Sequence, residues 1–421
     1  MANDFYSDFD WERLPARDPV LYRTHFEIDR DRVIHTSAFR RLQAKTQVFL
    51  SGQYDIYRTR LTHSIEVAQI GRSICGYLKK TSPWFDHGFY VDPVLVEAVC
   101  LSHDLGHPPF GHKGERTLNS LMKPFGGFEG NAQTLRLLTE TIYSHNSRRS
   151  GMGPTRALLD GILKYKSLYS ERLNPYNHFL YDDQKPYLDF VLEGGNLSGA
   201  CRTPQEKNAF RSLECQIMDW ADETAYCFHD LADGIRMGFV TMDKLERWAE
   251  ANDLDSEDAP RMENLIRTIR QGDIEPMLER KIGEFIRAGS LVERSNFMAE
   301  NTHRYRFGLT IDPSMQKECH LYKAISMDIV FRSERVGQLQ YKINRMLGGL
   351  FETLLESCEA GAQPSLRFLS TQLEKQLRGV SERPRMARLI CDYLAGMTDH
   401  FAIRTFRRLF DPGFTSIAEL D

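Results

Sequence analysis

Residues Ile217 to Asp230 read Ile-Met-Asp-Trp-Ala-Asp-Glu-Thr-Ala-Tyr-Cys-Phe-His-Asp, a helical segment with apolar side chains round almost its whole circumference. Such a helix must be enclosed by other elements, and the sequence offers mainly helices to enclose it. Thr62 to Leu78 repeats apolar residues at helical spacing. Asp92-Pro93 is an N-cap and first-turn pair that opens a helix through Val94, Leu95, Ala98 and Val99. Gly106, Pro108 and Pro109 stop it. Further helices are expected over 113–122 and 131–142, separated by Pro124-Phe-Gly-Gly, then over 206–232, 333–357 and 384–409. The stretch 144–154, rich in Gly, Ser and Arg, reads as an exposed loop. The expected fold is all-α, with few or no strands.

Bulk properties narrow the function classes. Of 421 residues, 41% are hydrophobic and 27% charged, ordinary values for a globular chain with ample core. A net charge of −4 gives no global attraction for nucleic acid or an anionic membrane surface, so a polyanionic ligand needs a local cluster of Arg and Lys. The acidic start lacks the basic head and apolar body of a signal peptide. The eight cysteines form no CxxC pair. They read as free thiols in a reducing cytoplasm, not as a disulfide framework or zinc finger.

The chemistry centres on Leu101-Ser-His-Asp-Leu-Gly-His-Pro-Pro-Phe-Gly-His112. An adjacent His103 and Asp104 at the end of an apolar helix can put one nitrogen and one oxygen on a hard or borderline divalent cation. His63, at the start of its own helix, fits as an upstream ligand, although a lone His there is more often a surface or capping residue. The helix through 217–230 supplies a carboxylate. Asp222, Tyr226 and Asp230 lie at i, i+4 and i+8 and share one face. A solvated acidic stripe would have the same spacing, but carboxylates inside so apolar a helix need metal, proton or hydrogen-bond partners. Two similar patterns are set aside. His103-x-x-x-His107 has zincin spacing but lacks the Glu, and Gly106 ends its helix too soon. Gly106-x-x-x-x-Gly111-His-Lys lacks the Lys-Ser/Thr ending of a phosphate loop.

Taken together, His63, His103-Asp104 and Asp222 resemble the four ligands of HD-domain metal phosphohydrolases. Ala38-Phe-Arg-Arg-Leu-Gln-Ala-Lys-Thr-Gln-Val48, Arg60-x-x-His63, His103 to His112 and Phe128-Glu-Gly-Asn-Ala-Gln133 narrow the resemblance to deoxyguanosine triphosphate triphosphohydrolases and their relatives. Leu163-Lys-Tyr165, Ala221-Asp-Glu-Thr-Ala-Tyr226 with Asp230, and Asp392-Tyr-Leu-Ala-Gly-Met-Thr-Asp399 add to it. The matches run from about residue 28 to 402.

The resemblance implies hydrolysis of a dNTP to deoxynucleoside and intact tripolyphosphate, with one divalent metal (Mn²⁺ or Mg²⁺) per site. It makes His63, His103, Asp104 and Asp222 the metal ligands, His112 the catalytic His and Glu115 its carboxylate partner. Tyr226 packs under the deoxyribose; Asp230 and Gln47 hydrogen-bond the 3′-hydroxyl; Arg60, His107 and the pair Lys164-Tyr165 contact phosphate. Arg40 and Arg41 stay outside the site. Gly130 stands where many relatives carry His, and Glu223 where some carry Lys or Asp, so those two roles are not carried over. A cytoplasmic homo-oligomer, a hexamer by preference, with dNTP activators, is also implied. Some relatives bind single-stranded nucleic acid, which the charge here does not support. The competing readings are an HD phosphohydrolase for another nucleotide and a nucleotide sensor without turnover. The expected organisation is an N-terminal segment 1–58 contributing to the active site, an HD core 59–240 and a C-terminal helical region 241–421.

Overall fold

Capping side chains set many helix boundaries in the computed structural model, which describes residues 3–16, 22–46, 58–143, 151–173, 176–193, 195, 197–359 and 371–414. The principal helices are α1 (His25–Ile34), α2 (Arg60–Thr81), α3 (Pro93–Ser102), α4 (Gly111–Met122), α5 (Gly130–Arg136), α6 (Leu213–Arg236), α7 (Pro313–Ile325), α8 (Glu334–Glu359), α9 (Arg383–Ala395) and α10 (Asp399–Phe410). Thr24 and Glu27 form a capping box on α1. Asp92 Oδ1 accepts from Val94 N at 2.8 Å, as expected for the N-terminus of α3. The sheet among the described residues is one antiparallel pair, β1 (Gly289–Glu293) and β2 (Phe307–Ile311), with Leu291 opposite Leu309. The all-α expectation therefore holds.

Two expected helices are broken, both at a capping residue. The run 206–232 divides into Pro204–Ala209 and α6, because Ser212 accepts from Cys215 N and starts a new helix. The run 384–409 divides into α9 and α10, where Thr398 accepts from Phe401 N. Helical periodicity continues across both breaks, so the apolar pattern alone does not mark them. The expected exposed loop at 144–154 is corrected in part: 151–154 are buried, and 144–150 lie outside the described residues.

The chain divides into two compact units, neither continuous in sequence. The first comprises Met1–Trp11, His63–Cys100 and Arg211–Leu339. Its core surrounds α6, of which Ile217, Ala221, Ala225, Phe228 and Leu231 are fully buried. Trp220 donates from Nε1 to Phe285 O at 3.0 Å and stacks on the Phe285 ring. A side chain at Gly71 would strike Cys100 Sγ at 2.9 Å and approach Ala221. That glycine thus lets α2 lie close to both α3 and α6.

The second unit comprises Glu12–Thr62, Leu101–Phe210 and Gln340–Asp421. Leu118, Met122, Phe128, Ile390 and Leu394 fill its core. Asp392 on α9 accepts from Arg136 Nε at 2.8 Å and Gln133 Nε2 at 3.0 Å, fixing α5 against α9. Among the described residues no helix is long and apolar enough to cross a membrane. The cysteines that are described are all free thiols, and all but the half-buried Cys358 are buried.

Candidate active site

In the first unit, His63 on α2 and Asp222 on α6 meet, Nε2 to Oδ1, at 3.1 Å. His63 is buried and Asp222 half-buried. Along the same face of α6, Tyr226 is half-buried and Asp230 buried. The Tyr226 ring lies parallel to Phe331, with centroids 6.3 Å apart. A second tie between α2 and α6 escaped the sequence reading: His229 Nδ1 lies 3.1 Å from Glu66 Oε2. Its signal was available, since Glu66 follows His63 by three residues and His229 adjoins Asp230. Glu223 is engaged elsewhere, with Lys323 Nζ at 3.0 Å from its carboxylate.

In the second unit, the turn after α3 buries His103, Asp104 and His107 together. Asp104 Oδ2 accepts from Arg60 Nη1 at 2.7 Å. Its Oδ1 lies 3.0 Å from His107 Nδ1 and 3.5 Å from His103 Nε2. Burial opposes the charge on Asp104, but the cationic Arg60, then His107 and His103, hold its carboxyl well below the usual carboxylate range. For His107, burial and then Arg60 disfavour a second positive charge and lower its pKa. Arg60 is 1% exposed; its Nε and Nη2 have no hydrogen-bond partner among the described residues. Gly106 does more than stop a helix. A Cβ there would fall 2.2 Å from Gly130 O, so the turn packs backbone to backbone on α5.

His112 opens α4, after Phe110 and Gly111 at φ 66° and 59°. Its Nδ1 pairs with Glu115 Oε2 at 3.0 Å, and its side chain is 57% exposed. The other Glu115 oxygen accepts from Gly130 N at 2.7 Å. A side chain at Gly130 would meet that oxygen at 3.1 Å and the His107 ring at 3.3 Å. Burial opposes the Glu115 charge too, but the His112 hydrogen bond, the His107 and His112 charges and the Gly130 N–H hold its carboxyl down to about 2.

Tyr165 is buried and stacks on His178; Lys164 beside it is half-buried. Gln47 lies outside the described residues. Arg40 and Arg41, left outside the site, donate to the carbonyls of His35 and Gly396.

Two anchoring residues were present in the matched motifs without a role. Lys45 is buried, and Nζ donates to His107 O at 2.6 Å and Ala395 O at 2.8 Å; burial pushes its ammonium down to about 7. Asp399 accepts from Thr46 N at 3.0 Å and, through its other oxygen, from Phe110 N at 2.9 Å. It thereby holds the left-handed residue that precedes α4.

Glu129 accepts from Ala132 N at 2.8 Å as the N-cap of α5. Burial, and then the nearby Glu115, push its carboxyl up to about 8. With its pKa raised in the fold, the native state binds the extra proton between the ordinary carboxylate range and about pH 8, so stability falls as pH rises through that window. Glu129→Gln is expected to flatten this slope. Thermal midpoints of both proteins from pH 5 to 8 check it, and parallel profiles would count against it.

Residues 60–227 match the HD domain family, and residues 309–408 match the phosphohydrolase-associated domain. The chain is 35% identical to a deoxyguanosinetriphosphate triphosphohydrolase-like protein of Shewanella loihica, over 97% of each chain. It is 35% identical to the protein of that name from Shewanella sediminis, over 95% of each. For deoxyguanosinetriphosphate triphosphohydrolase-like protein 2 of Deinococcus radiodurans the identity is 34%, over 94% of this chain and 95% of that one. An HD turn with a buried His-Asp doublet, together with these matches, defines an HD-domain phosphohydrolase. Within that class, the chain belongs to the deoxyguanosinetriphosphate triphosphohydrolase-like family.

Proposed function

We propose that the protein hydrolyses dNTPs, dGTP among them, to deoxynucleoside and tripolyphosphate. The observation that carries this reading is the His112–Glu115–Gly130 arrangement on α4 and α5, in the unit that also buries Arg60, Asp104 and His107.

His63, Asp222, His103 and Asp104 form the proposed ligand set for one divalent cation. Two imidazoles and two carboxylates suit Mn²⁺ or Mg²⁺, and each pair already meets within its own unit. When bound, the cation supplies Lewis-acid stabilisation of charge at a phosphoryl oxygen. Arg60, with Nη1 committed to Asp104, has Nε and Nη2 to offer a phosphate. Glu115 accepts a hydrogen bond from His112 Nδ1–H, which orients the ring and leaves Nε2 to exchange a proton. In the reaction, water adds to the α-phosphorus and the bond to the 5′-oxygen breaks. Tripolyphosphate leaves with the water oxygen, and the 5′-oxygen gains a proton. His107, Lys164 and Tyr165 contact phosphate, Tyr226 lies under the sugar, and Asp230 and Gln47 bind its 3′-hydroxyl. We also propose a homo-oligomer, a hexamer by preference, with dNTPs as activators.

The direct test incubates the protein with each dNTP and Mn²⁺ or Mg²⁺ and identifies the phosphate product. Tripolyphosphate supports the proposal; pyrophosphate or orthophosphate overturns it. Sugar selection has its own test. Filling the 2′ space with Tyr226, backed by Phe331, penalises a ribonucleotide by roughly 1–3 kcal/mol of overpacking. Tyr226→Ala is therefore expected to lower the ratio of kcat/KM for dGTP over GTP by about 5- to 150-fold. An unchanged ratio would remove Tyr226 from the sugar site.

A further inference from the structure

A Cβ at Gly130 would fall between two side chains, 3.1 Å from Glu115 Oε1 and 3.3 Å from the His107 ring. Its absence keeps a space between a carboxylate on α4 and an imidazole on the turn after α3. His112 joins them. Its Nδ1 lies 3.0 Å from Glu115 Oε2, and its ring stands edge to face with that of His107, centroids 5.2 Å apart. One ligand atom from each of His107, His112 and Glu115 lies within 4.8 Å of the other two. These three residues and Gly130 all belong to the second unit.

The chemistry of the trio suits a borderline cation. Two imidazoles and one carboxylate are a zinc ligand set that leaves a fourth position to water. Burial and the Arg60 charge disfavour a proton on His107, so at neutral pH that ring keeps a lone pair for a metal. Glu115, held down to about 2, is ionised over the same range. Its carboxylate is oriented from outside the trio, because Gly130 N donates to Oε1 at 2.7 Å. The Arg60 charge is answered by Asp104, which accepts from Nη1 at 2.7 Å. His112, with a side chain 57% exposed, opens the group to solvent and gives a metal its way in.

We infer that His107, His112 and Glu115 bind an inhibitory transition-metal cation, Zn²⁺ by their ligand set, with no ligand in common with the proposed set of His63, Asp222, His103 and Asp104. The inhibition rests on the dNTP reading proposed above; the binding does not. A metal bound through His112 Nε2 removes the nitrogen that exchanges a proton. Bound through Nδ1, it sends that proton to solvent and removes the hydrogen bond by which Glu115 orients the ring. Either way His112 no longer serves as acid or base, and His107 is drawn from phosphate.

Binding is tested with Zn²⁺ alone, by equilibrium dialysis and elemental analysis of the full-length protein. Asp222→Ala, which lacks one ligand of the proposed catalytic metal, is compared with Asp222→Ala carrying Glu115→Gln. Loss of a partner outside the ligand set costs roughly 10–100-fold in metal affinity, so loss of the Glu115 charge is expected to weaken zinc binding at least about tenfold. Zinc held by other histidines is common to both proteins and cancels. Equal zinc binding in the two, or none in Asp222→Ala, overturns the site. If Asp222→Ala does not fold, Glu115→Gln is compared with the wild type: one bound zinc fewer per chain supports the site, and an equal number overturns it. Inhibition is tested with Gly130→Ala, which keeps the backbone N–H and fills the space. Its inhibition constant for Zn²⁺, measured on Mn²⁺-loaded protein, is expected to rise at least about tenfold over the wild type. Displacement of Mn²⁺ by Zn²⁺ would inhibit both proteins alike, so equal constants overturn the inhibitory role. If the protein hydrolyses no dNTP, the proposed reaction and the inhibitory role fall together, and zinc binding still decides the site.

Discussion

Asp104→Ala is expected to abolish turnover, lower bound metal and unfold the protein more readily. The Asp104 carboxylate is buried and faces three cationic or protonatable partners, Arg60, His107 and His103. Removing it leaves the Arg60 guanidinium buried without the carboxylate that accepts from Nη1. Breaking a buried pair by deleting one partner costs roughly 3–5 kcal/mol. Asp104→Asn separates the two effects. It keeps the shape and one acceptor oxygen but is a much poorer ligand for a hard cation. The asparagine variant should therefore recover part of the lost stability and none of the activity. Metal content, thermal midpoint and phosphate release on both variants check this, and full activity in either would sink the assignment.

The second large effect is expected at His112 and Glu115. His112→Ala should cut kcat by about 10²–10⁴-fold with little change in KM, the usual size of a general acid–base contribution. Glu115→Gln should lie between that variant and the wild type, because it loses the charge that orients the imidazole and stabilises its protonated form. Held down to about 2, Glu115 stays ionised throughout the neutral range, so neutral-range changes in rate do not come from its titration. Its contribution to stability has a definite sign. A carboxylate with a depressed folded pKa stabilises the fold above the ordinary carboxylate range, and that stabilisation is lost as pH falls towards about 2. Glu115→Gln should therefore be less sensitive to acid between about pH 4.5 and 2. A variant with wild-type kcat, or with an unchanged acid midpoint, would count against the role given to the pair.

Much of the candidate site was legible because the proposed chemistry needs particular residues close together in sequence. The His103-Asp104 doublet, His112 with Glu115 one turn on, and Asp222, Tyr226 and Asp230 along one helix face all obey local rules of spacing. Other parts obey none. Asp399 holds Phe110 from 289 residues away, and Lys45 joins His107 to Ala395 through two carbonyls. A sequence pattern carries no sign of which carbonyl a buried ammonium will reach. Gly106 illustrates the same gap: the sequence marks it as a helix stop, and its lack of a Cβ answers as well to Gly130 O on another helix. The breaks at Ser212 and Thr398 were missed because apolar periodicity records burial, and burial continues across a cap.

By itself, then, the sequence determined the helical class, the residue types of a metal phosphohydrolase and the family to which the chain belongs. Those depend on composition, periodicity and short-range spacing, which the linear chain displays directly. Only the tertiary structure decided that Gly130 offers its backbone N–H to Glu115, that Glu66 reaches His229, and that the His178 ring lies on Tyr165. Each of these depends on where a backbone or ring from another segment comes to rest, and that is settled by packing.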